Sequence, residues 1–335
     1  MDRFIEIKNL VKDFSGRGIL NRRKSAVRAV DRVSFNIDRN TVFGLVGESG
    51  CGKTTLVRSI LYLDPPTSGE IRVDGVSLAT LSSRQLRSFR KKMQIVFQDP
   101  NSALNPKMRI EDSLAEGLVN RGFPAVERDR RIKRLLDLVG IASAHRSRFP
   151  HEFSGGQKQR IVIARALCME PDFLVLDEPV SNLDVSIQAQ IINLLLDLKK
   201  ELSLTYLFIS HDLNLVVYFS DRLGVMYQGR LVELASADQI MRNHCHPYTR
   251  KLFSSVPGKQ MDIEENDDDA DVEPTSSAGK QSTRPPAGCA YADECPIGDR
   301  QCRADEPVLT EISAGHLVAC YKRNGSYRTL EPLNP

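Results

Sequence analysis

The run Gly47-Glu48-Ser49-Gly50-Cys51-Gly52-Lys53-Thr54-Thr55 combines glycines, a lysine and three hydroxyls in the order G-x-x-x-x-G-K-[ST], the spacing of a loop that wraps phosphate. Without a Cβ, the glycines let successive backbone N–H groups turn inward on phosphate oxygens. A helix directly after the loop presents its positive end to the anion. Lys53 then reaches the β- and γ-phosphates of a nucleotide, and the Thr54 hydroxyl can ligate Mg²⁺. A plain Gly-rich turn with an incidental lysine is the bland alternative. It fails on context, because a strand-like run precedes the loop and a helix-like run comes after it.

Two further groups bear on the same chemistry. Phe173-Leu-Val-Leu-Asp177-Glu178-Pro179 puts two carboxylates where a buried strand leaves its sheet, the edge at which ligands bind in open α/β sheets. Asp177 is placed to hold Mg²⁺ through water, and Glu178, one residue on, to act as general base on the attacking water. Alone, such a pair is as often a strand end of no chemical use. Beside a phosphate loop it reads as a site. Phe153-Ser154-Gly155-Gly156-Gln157 opens a helix and offers a second set of backbone donors to an anion. One nucleotide has no use for two phosphate cradles in one chain. Two cradles make sense if chains pair head to tail, each nucleotide lying between one chain's loop and the other's Ser-Gly-Gly-Gln turn.

The elements that must position these residues are legible in outline. Residues 3–11 and 33–37 alternate as half-buried strands. Thr41 to Val46 reads as a strand and Thr54 to Leu61 as a helix. Met93 to Phe97 is a short apolar run. Residues 111–145 look helical, with Gly140 as a stop, and Gln157 to Met169 has helical spacing. Phe173–Leu176 and Tyr206–Ile209 are continuous apolar runs, as in strands buried on both faces of a parallel sheet. Between them, Val185 to Glu201 has the length of a crossover helix. Leu223–Tyr227 and Arg230–Leu234 read as strands joined at a glycine. The result is an α/β domain with a helical insertion. Eight acidic residues from Asp262 to Glu273, succeeded by Pro, Ser, Gly and Thr, read as a flexible linker before a small cysteine-containing tail.

With these motifs in order, the sequence resembles the ATP-binding cassette (ABC) family, whose signature is normally Leu-Ser-Gly-Gly-Gln and here begins with Phe153. The resemblance implies a phosphate-loop NTPase cassette, with a RecA-like core, an antiparallel β subdomain and a helical subdomain at roughly 99–160. It implies ATP and Mg²⁺ as ligands. Gln98 matches the Q-loop glutamine that senses Mg²⁺ and the membrane partner. Ser181-Asn182-Leu183-Asp184 matches the D-loop that crosses to the other chain, although Asp184 also suits a helix N-cap. His211 matches the switch histidine at the γ-phosphate. Phe14 is the best match for the aromatic that stacks on adenine. Taken singly, Gln98 and His211 are as easily polar strand ends and Phe14 a core residue. The set is what carries the reading. The basic run Arg22-Arg23-Lys24 is most simply a solvated loop; contact with lipid head groups is the sharper reading.

Within the family, Pro66-Thr-Ser-Gly-Glu70, Phe97-Gln-Asp-Pro-Asn-Ser-Ala-Leu-Asn-Pro106 and His246-Pro-Tyr-Thr249 look like the oligopeptide/dipeptide importer branch, which nickel and some oligosaccharide importers share. That resemblance implies an ATPase domain over 1–257, a linker over 258–287 and a branch-type C-terminal region over 288–335. It implies a second cassette, forming a heterodimer, two permease subunits and an extracytoplasmic solute-binding protein as partners. An exporter cassette shares all the ATP chemistry, and only the branch-like stretches and the tail argue against it. A soluble cassette acting on nucleic acid is disfavoured by the single phosphate loop and the absence of a coiled-coil insertion. The net charge of +3 gives no case for nucleic-acid binding either.

Cys289, Cys295, Cys302 and Cys320 resemble the cysteine-containing tail of the same branch. Four thiolates can hold a [4Fe–4S] cluster or zinc, and the paired spacing usual for zinc is missing. Free or disulfide-bonded cysteines are the remaining reading. No apolar run approaches the ~20 residues that span a bilayer, and the N-terminus has no apolar signal segment. The expectation is a peripheral subunit at the cytoplasmic face of the inner (plasma) membrane, reached through partner proteins.

Overall fold

The computed structural model describes residues 2–14, 27–254 and 287–322. The basic run at 22–24 and most of the acidic stretch 258–287 lie outside the described residues, as does the chain end after 322.

Five parallel strands form the centre: β3 (Val42–Val46), β6 (Met93–Val96), β7 (Phe173–Asp177), β8 (Thr205–Ile209) and β9 (Arg222–Tyr227), in the order β9-β3-β8-β7-β6. Every residue of β3 and β8 is buried, which explains their unbroken apolar sequence. Alternate side chains feed two cores. Val42, Val46, Leu174, Leu176, Tyr206 and Phe208 face one, with helices α6 (Gly155–Leu167), α7 (Val185–Leu202) and α8 (Leu213–Phe219). Phe43, Leu45, Phe173, Val175, Leu207 and Ile209 face the other. That second core is closed by α1 (Lys53–Ile60) and an antiparallel sheet of β1 (Arg3–Phe14), β2 (Val27–Asp38), β4 (Ser68–Val73) and β5 (Val76–Ser77), in the order β2-β1-β4-β5.

The insertion between β6 and β7 is helical. It contains α3 (Pro100–Ala103), α4 (Ile110–Asn120) and α5 (Ala125–Leu138), after α2 (Ser83–Lys92) has led into β6. The stretch 111–145, expected as one helical region, is broken between α4 and α5. Gly122 there has φ 80°, a left-handed turn that glycine adopts without strain, and Pro124 is the N-cap of α5.

β10 (Arg230–Ser236) leaves β9 through a tight turn and pairs with it antiparallel. After α9 (Ala237–Arg242) and α10 (Pro247–Ser254), the C-terminal residues contribute α11 (Arg300–Ala304), β11 (Thr310–Ser313) and β12 (His316–Val318). The hairpin β11–β12 joins the main sheet by pairing β12 with β10, Glu233 opposite Val318 and Leu234 opposite Leu317. The tail is thereby stitched into the main sheet. Two buried contacts fix it. Glu233 Oε1 accepts from the backbone N–H of Cys245 at 2.8 Å and lies 2.7 Å from His316 Nε2, while Oε2 accepts from the N–H of His246 at 2.9 Å. Arg230 donates to Asp31 Oδ2 at 2.8 Å and to the carbonyl of Gly288 at 2.9 Å. Among the described residues, no helix is long and apolar enough to cross a membrane.

Candidate functional site

Parallel register brings the motif residues to one edge. Leu45 of β3 lies opposite Ile209 of β8, Ile209 opposite Asp177 of β7, and Leu176 opposite Val96 of β6. The segments leaving these four strands carry the phosphate loop, Glu178, His211 and Gln98, so all four emerge together. That is where a parallel α/β sheet places its ligands.

The phosphate loop is held by its glycines. Gly47, Gly50 and Gly52 have φ of 151°, 79° and 106°. A Cβ on Gly47 would stand 2.1 Å from the carbonyl oxygen of Met226, and one on Gly52 2.3 Å from that of Ala29. Backbone on both sides leaves no other residue room. Lys53 opens α1 and turns its Nζ back to donate to the carbonyls of Gly47 at 2.7 Å and Glu48 at 2.9 Å. Ser49, Gly50, Cys51, Thr54 and Thr55 complete the loop and the first turn of α1, with the Cys51 thiol 3.7 Å from Nζ. The ammonium is thus fixed at the mouth of a cradle of N–H groups, at a helix N-terminus, where an anion is favoured.

The acidic pair is bound into this centre. Burial, then the neighbouring charge of Glu178, pushes the Asp177 carboxyl up, and the charge of Lys53 acts against both. A divalent cation removes the same penalty. Glu178 has a left-handed backbone, φ 50°, a conformation costing about 1–3 kcal/mol in a non-glycine residue and concentrated at functional sites. Its N–H is tied to the carbonyl of Ile209 at 2.9 Å. Oε2 of Glu178 accepts from Gln98 Nε2 at 3.0 Å and lies 3.2 Å from His211 Nδ1. Gln98 Nε2 also donates to Ser181 Oγ at 3.1 Å. A histidine and an amide therefore meet at one oxygen of the Glu178 carboxylate beside the phosphate cradle. This arrangement can orient a water and receive its proton.

The signature turn, the D-loop and the aromatic at the end of β1 are more outlying. Ser154 caps α6: its Oγ accepts from the Gln157 N–H, and the Gln157 side chain accepts from the Ser154 N–H at 3.0 Å. Both residues stay at the surface, and among the described residues no hydrogen bond joins this turn to residues 47–55. Gly155 and Gly156 pack on the D-loop and α7; a Cβ on Gly156 would stand 2.6 Å from Ile187 Cγ2. Asp184 occupies the N-cap position of α7 without a side-chain capping bond, and it is exposed. Phe14 ends β1 with its ring 45% exposed and Lys12 Nζ 5.3 Å from the ring centroid, a stacking surface rather than core.

The four tail cysteines line one small cavity together with His246, Tyr291 and Tyr321, and none is in a disulfide. Burial pushes the Cys320 thiol up to about 11, and the other three thiols add to the effect. Among the described residues, the one set of three metal-capable ligand atoms within 4.8 Å of one another is Glu233, Cys245 and His316. The Glu233 carboxylate there is already saturated with hydrogen bonds. No three tail thiols approach that closely, whereas tetrahedral zinc, with Zn–S about 2.3 Å, needs sulfurs about 3.8 Å apart. Four thiols around one cavity are a donor set chemically able to hold an iron–sulfur cluster or zinc.

One functional contact had no sequence signal. Tyr248 is fully buried, and its hydroxyl accepts the Glu48 N–H of the phosphate loop at 2.9 Å. A groove of about 1220 Å³ runs between the core and the helical insertion, past Phe97, Glu116, Val119 and Arg165. It exceeds the usual small-molecule pocket of about 300–1,000 Å³.

Known proteins resemble this chain over most of its length. Residues 30–181 match the family model described as ABC transporter, and residues 232–302 match the oligopeptide/dipeptide transporter C-terminal region. The oligopeptide transport ATP-binding protein OppF of Bacillus subtilis (strain 168) is 49% identical over 269 residues, covering 79% of this chain and 86% of the relative. OppF of Streptococcus mutans is 50% identical over 257 residues, covering 76% and 82%. Among solved structures, cbiO1 of Clostridium perfringens, part of the transporter complex cbiONQ, superposes with a TM-score of 0.64 at 28% identity, covering 77% of this chain and 97% of its own. The dimeric cassette MJ0796 bound to ADP and Pi superposes at 0.60 with 27% identity, covering 70% and 98%.

Proposed function

Because the chain belongs to the ABC transporter family, in its oligopeptide/dipeptide branch, and is an ATPase of that family, we propose that it energises the import of oligopeptides or dipeptides. It does so as one of two paired cassettes beneath two permease subunits. The observation that carries the reading is the gathering of Lys53, Asp177, Glu178, His211 and Gln98 at one sheet edge, with the Ser154–Gln157 turn exposed for a second chain.

In this mechanism each nucleotide is gripped by residues 47–55 of one cassette and 154–157 of its mate, with Phe14 against the adenine and Asp184 at the seam. Thr54, Asp177 and Gln98 would hold Mg²⁺, which supplies charge neutralisation at the β- and γ-oxygens. Glu178 takes the proton of the attacking water. His211 fixes that carboxylate, and Lys53 stabilises charge developing on the phosphate. Loss of the γ-phosphate removes contacts made only across the closed seam, so the open state regains population. The groove beside Phe97 suits a cytoplasmic helix of the permease, which the closing motion would carry. Nickel and some oligosaccharide importers share the branch, so the branch alone does not set the solute; the peptide reading rests on the OppF relatives and the matched C-terminal region.

Cys289, Cys295, Cys302 and Cys320 would hold a [4Fe–4S] cluster, which supplies a covalent staple and one-electron chemistry. Their common cavity and their spacing support this. Anaerobic purification and then iron and sulfide analysis test it, and colourless, iron-free protein rejects it.

The test of the ATPase reading is the Glu178→Gln protein, alone or mixed with its companion cassette. ATP should bind, remain unhydrolysed and drive stable association, read by light scattering. Protein that stays monomeric with ATP in both mixtures rejects the paired-cassette mechanism.

A further inference from the structure

The cysteine cavity and the phosphate loop are joined by a short chain of hydrogen bonds. His246 is 1% exposed and lines the cavity. Its Nδ1 accepts the backbone N–H of Tyr248 at 3.1 Å, which assigns the ring proton to Nε2. That Nε2 is buried and has no hydrogen-bond partner. An orphaned buried donor is costly, and here it belongs to a side chain that lines the cavity.

Two residues on, the Tyr248 hydroxyl accepts the Glu48 N–H at 2.9 Å, and the Glu48 carbonyl accepts from Lys53 Nζ at 2.9 Å. The Tyr248 ring is wedged between Tyr227 and Tyr291, with centroids at 4.5 and 5.5 Å, and Tyr291 is itself part of the cavity wall. Both hydrogen-bonding groups of the Glu48 backbone are thus spoken for: its N–H by the C-terminal segment, its carbonyl by the phosphate-binding lysine. The segment His246–Tyr248 is buried and in contact with each site.

We propose that Tyr248 is a positioning residue for the phosphate loop and that His246–Tyr248 couples the group held in the cysteine cavity to the grip of Lys53 on ATP. His246 Nε2–H, buried and unpartnered beside the cavity, would be the donor offered to a sulfur of that group. This fixes the imidazole, which fixes the Tyr248 backbone and hence the Glu48 peptide. Loss of the group frees His246, and the loop holds Lys53 less well. The coupling half rests on the cluster reading above. The positioning half stands without it.

The experiment measures ATP affinity with a fluorescent nucleotide on the full chain, purified anaerobically and again after iron chelation. Tyr248→Phe keeps the ring stack and removes the hydroxyl, and it should weaken ATP binding about five-fold, the worth of one ordinary hydrogen bond. Tyr227→Phe also deletes a hydroxyl from the stack, one that donates to Glu294 at 2.9 Å, and it should change ATP affinity by less than about two-fold. Equal effects from the two variants, or none from Tyr248→Phe, overturn the positioning role. Chelation should weaken ATP binding in the wild-type protein and have no added effect in Tyr248→Phe. A chelation effect of the same size in both overturns the coupling. In iron-loaded protein, His246→Phe should lower the cluster's reduction potential, because a donor to its sulfurs is lost; an unchanged potential overturns the role of His246. Protein that never holds iron rejects the cluster and the coupling together, and the comparison of Tyr248→Phe with Tyr227→Phe still decides the positioning role.

Discussion

His211 Nδ1 lies 3.2 Å from Oε2 of Glu178, the same oxygen that takes the Gln98 amide. With both groups at Oε2, Oε1 is the oxygen left to face a water; among the described residues no hydrogen bond reaches it. The left-handed backbone of Glu178 aims the side chain into this grouping, and the N–H of Glu178 on the carbonyl of Ile209 keeps it there.

The consequence is a split between binding and turnover. His211→Ala removes a group that holds Glu178, the proposed base, and leaves Lys53 and the loop untouched. Its kcat should fall about 10²–10⁴-fold, the range for a lost acid–base contribution, while the ATP dissociation constant changes by less than about three-fold. Pairing it with Gln98→Ala should cost less than the sum of the two, since both act on one oxygen. Steady-state turnover and equilibrium nucleotide binding on the four proteins check this.

Gly156 gives a separate handle on the seam. Its Cβ would meet Ile187 Cγ2 at 2.6 Å, so alanine forces the signature turn away from the start of α7. The phosphate loop is elsewhere in the chain. Gly156→Ala should therefore bind ATP normally as a monomer and lose ATP-driven association, with turnover falling at least ten-fold because the composite site is not formed. Sedimentation of the Gly156→Ala, Glu178→Gln double variant with ATP would detect the opposite result, an intact dimer.

The tail should be acid-labile. Burial alone pushes the Glu233 carboxyl up, but His316 and the N–H groups of Cys245 and His246 hold it below its ordinary 4.5. The unfolded chain then binds the proton more readily. The stabilisation is complete above about pH 4.5 and is lost as pH falls through the lower folded value. Amides of β12 should lose exchange protection in that window before those of β3, and Glu233→Gln should flatten the pH dependence. At neutral pH His316→Ala should cost about 1.5–3 kcal/mol, the worth of a hydrogen bond to a charged group.

Much of the gathering of the candidate site at one sheet edge was legible in the sequence, because its residues are written in contiguous runs at strand ends. The parallel strands are apolar on both faces, so Val42–Val46, Phe173–Leu176 and Tyr206–Ile209 declared themselves, and the residues directly after each strand had to emerge at one edge. The break between α4 and α5 had a signal in Gly122 and Pro124 that helical periodicity overrode. The docking of the tail had none. Pairing Glu233 with Val318 spans the acidic stretch, and no local pattern encodes a partner so distant. Tyr248 was likewise silent: His246-Pro-Tyr-Thr249 marks the branch, but a tyrosine's hydroxyl acquires a role only when a backbone N–H is brought to it.

The groove beside the insertion carries the last prediction. Phe97 is 48% exposed and Val119 51% exposed, and both border a cleft wider than a small-molecule site. Large exposed apolar side chains rimmed by Glu116 and Arg165 are the composition of a docking surface. Phe97 immediately precedes Gln98, which reaches Glu178, so a segment seated on Phe97 lies one residue from the proposed catalytic grouping. Phe97→Asp buries a charge only when a partner is docked. Without permeases, the variant paired with its companion cassette should fold and hydrolyse ATP within about two-fold of wild type, because a surface change away from the core costs little. Assembled with its permeases in vesicles, the same variant should lose most solute uptake and its stimulation of ATP turnover. Full uptake by Phe97→Asp would place the permease contact somewhere else on the chain.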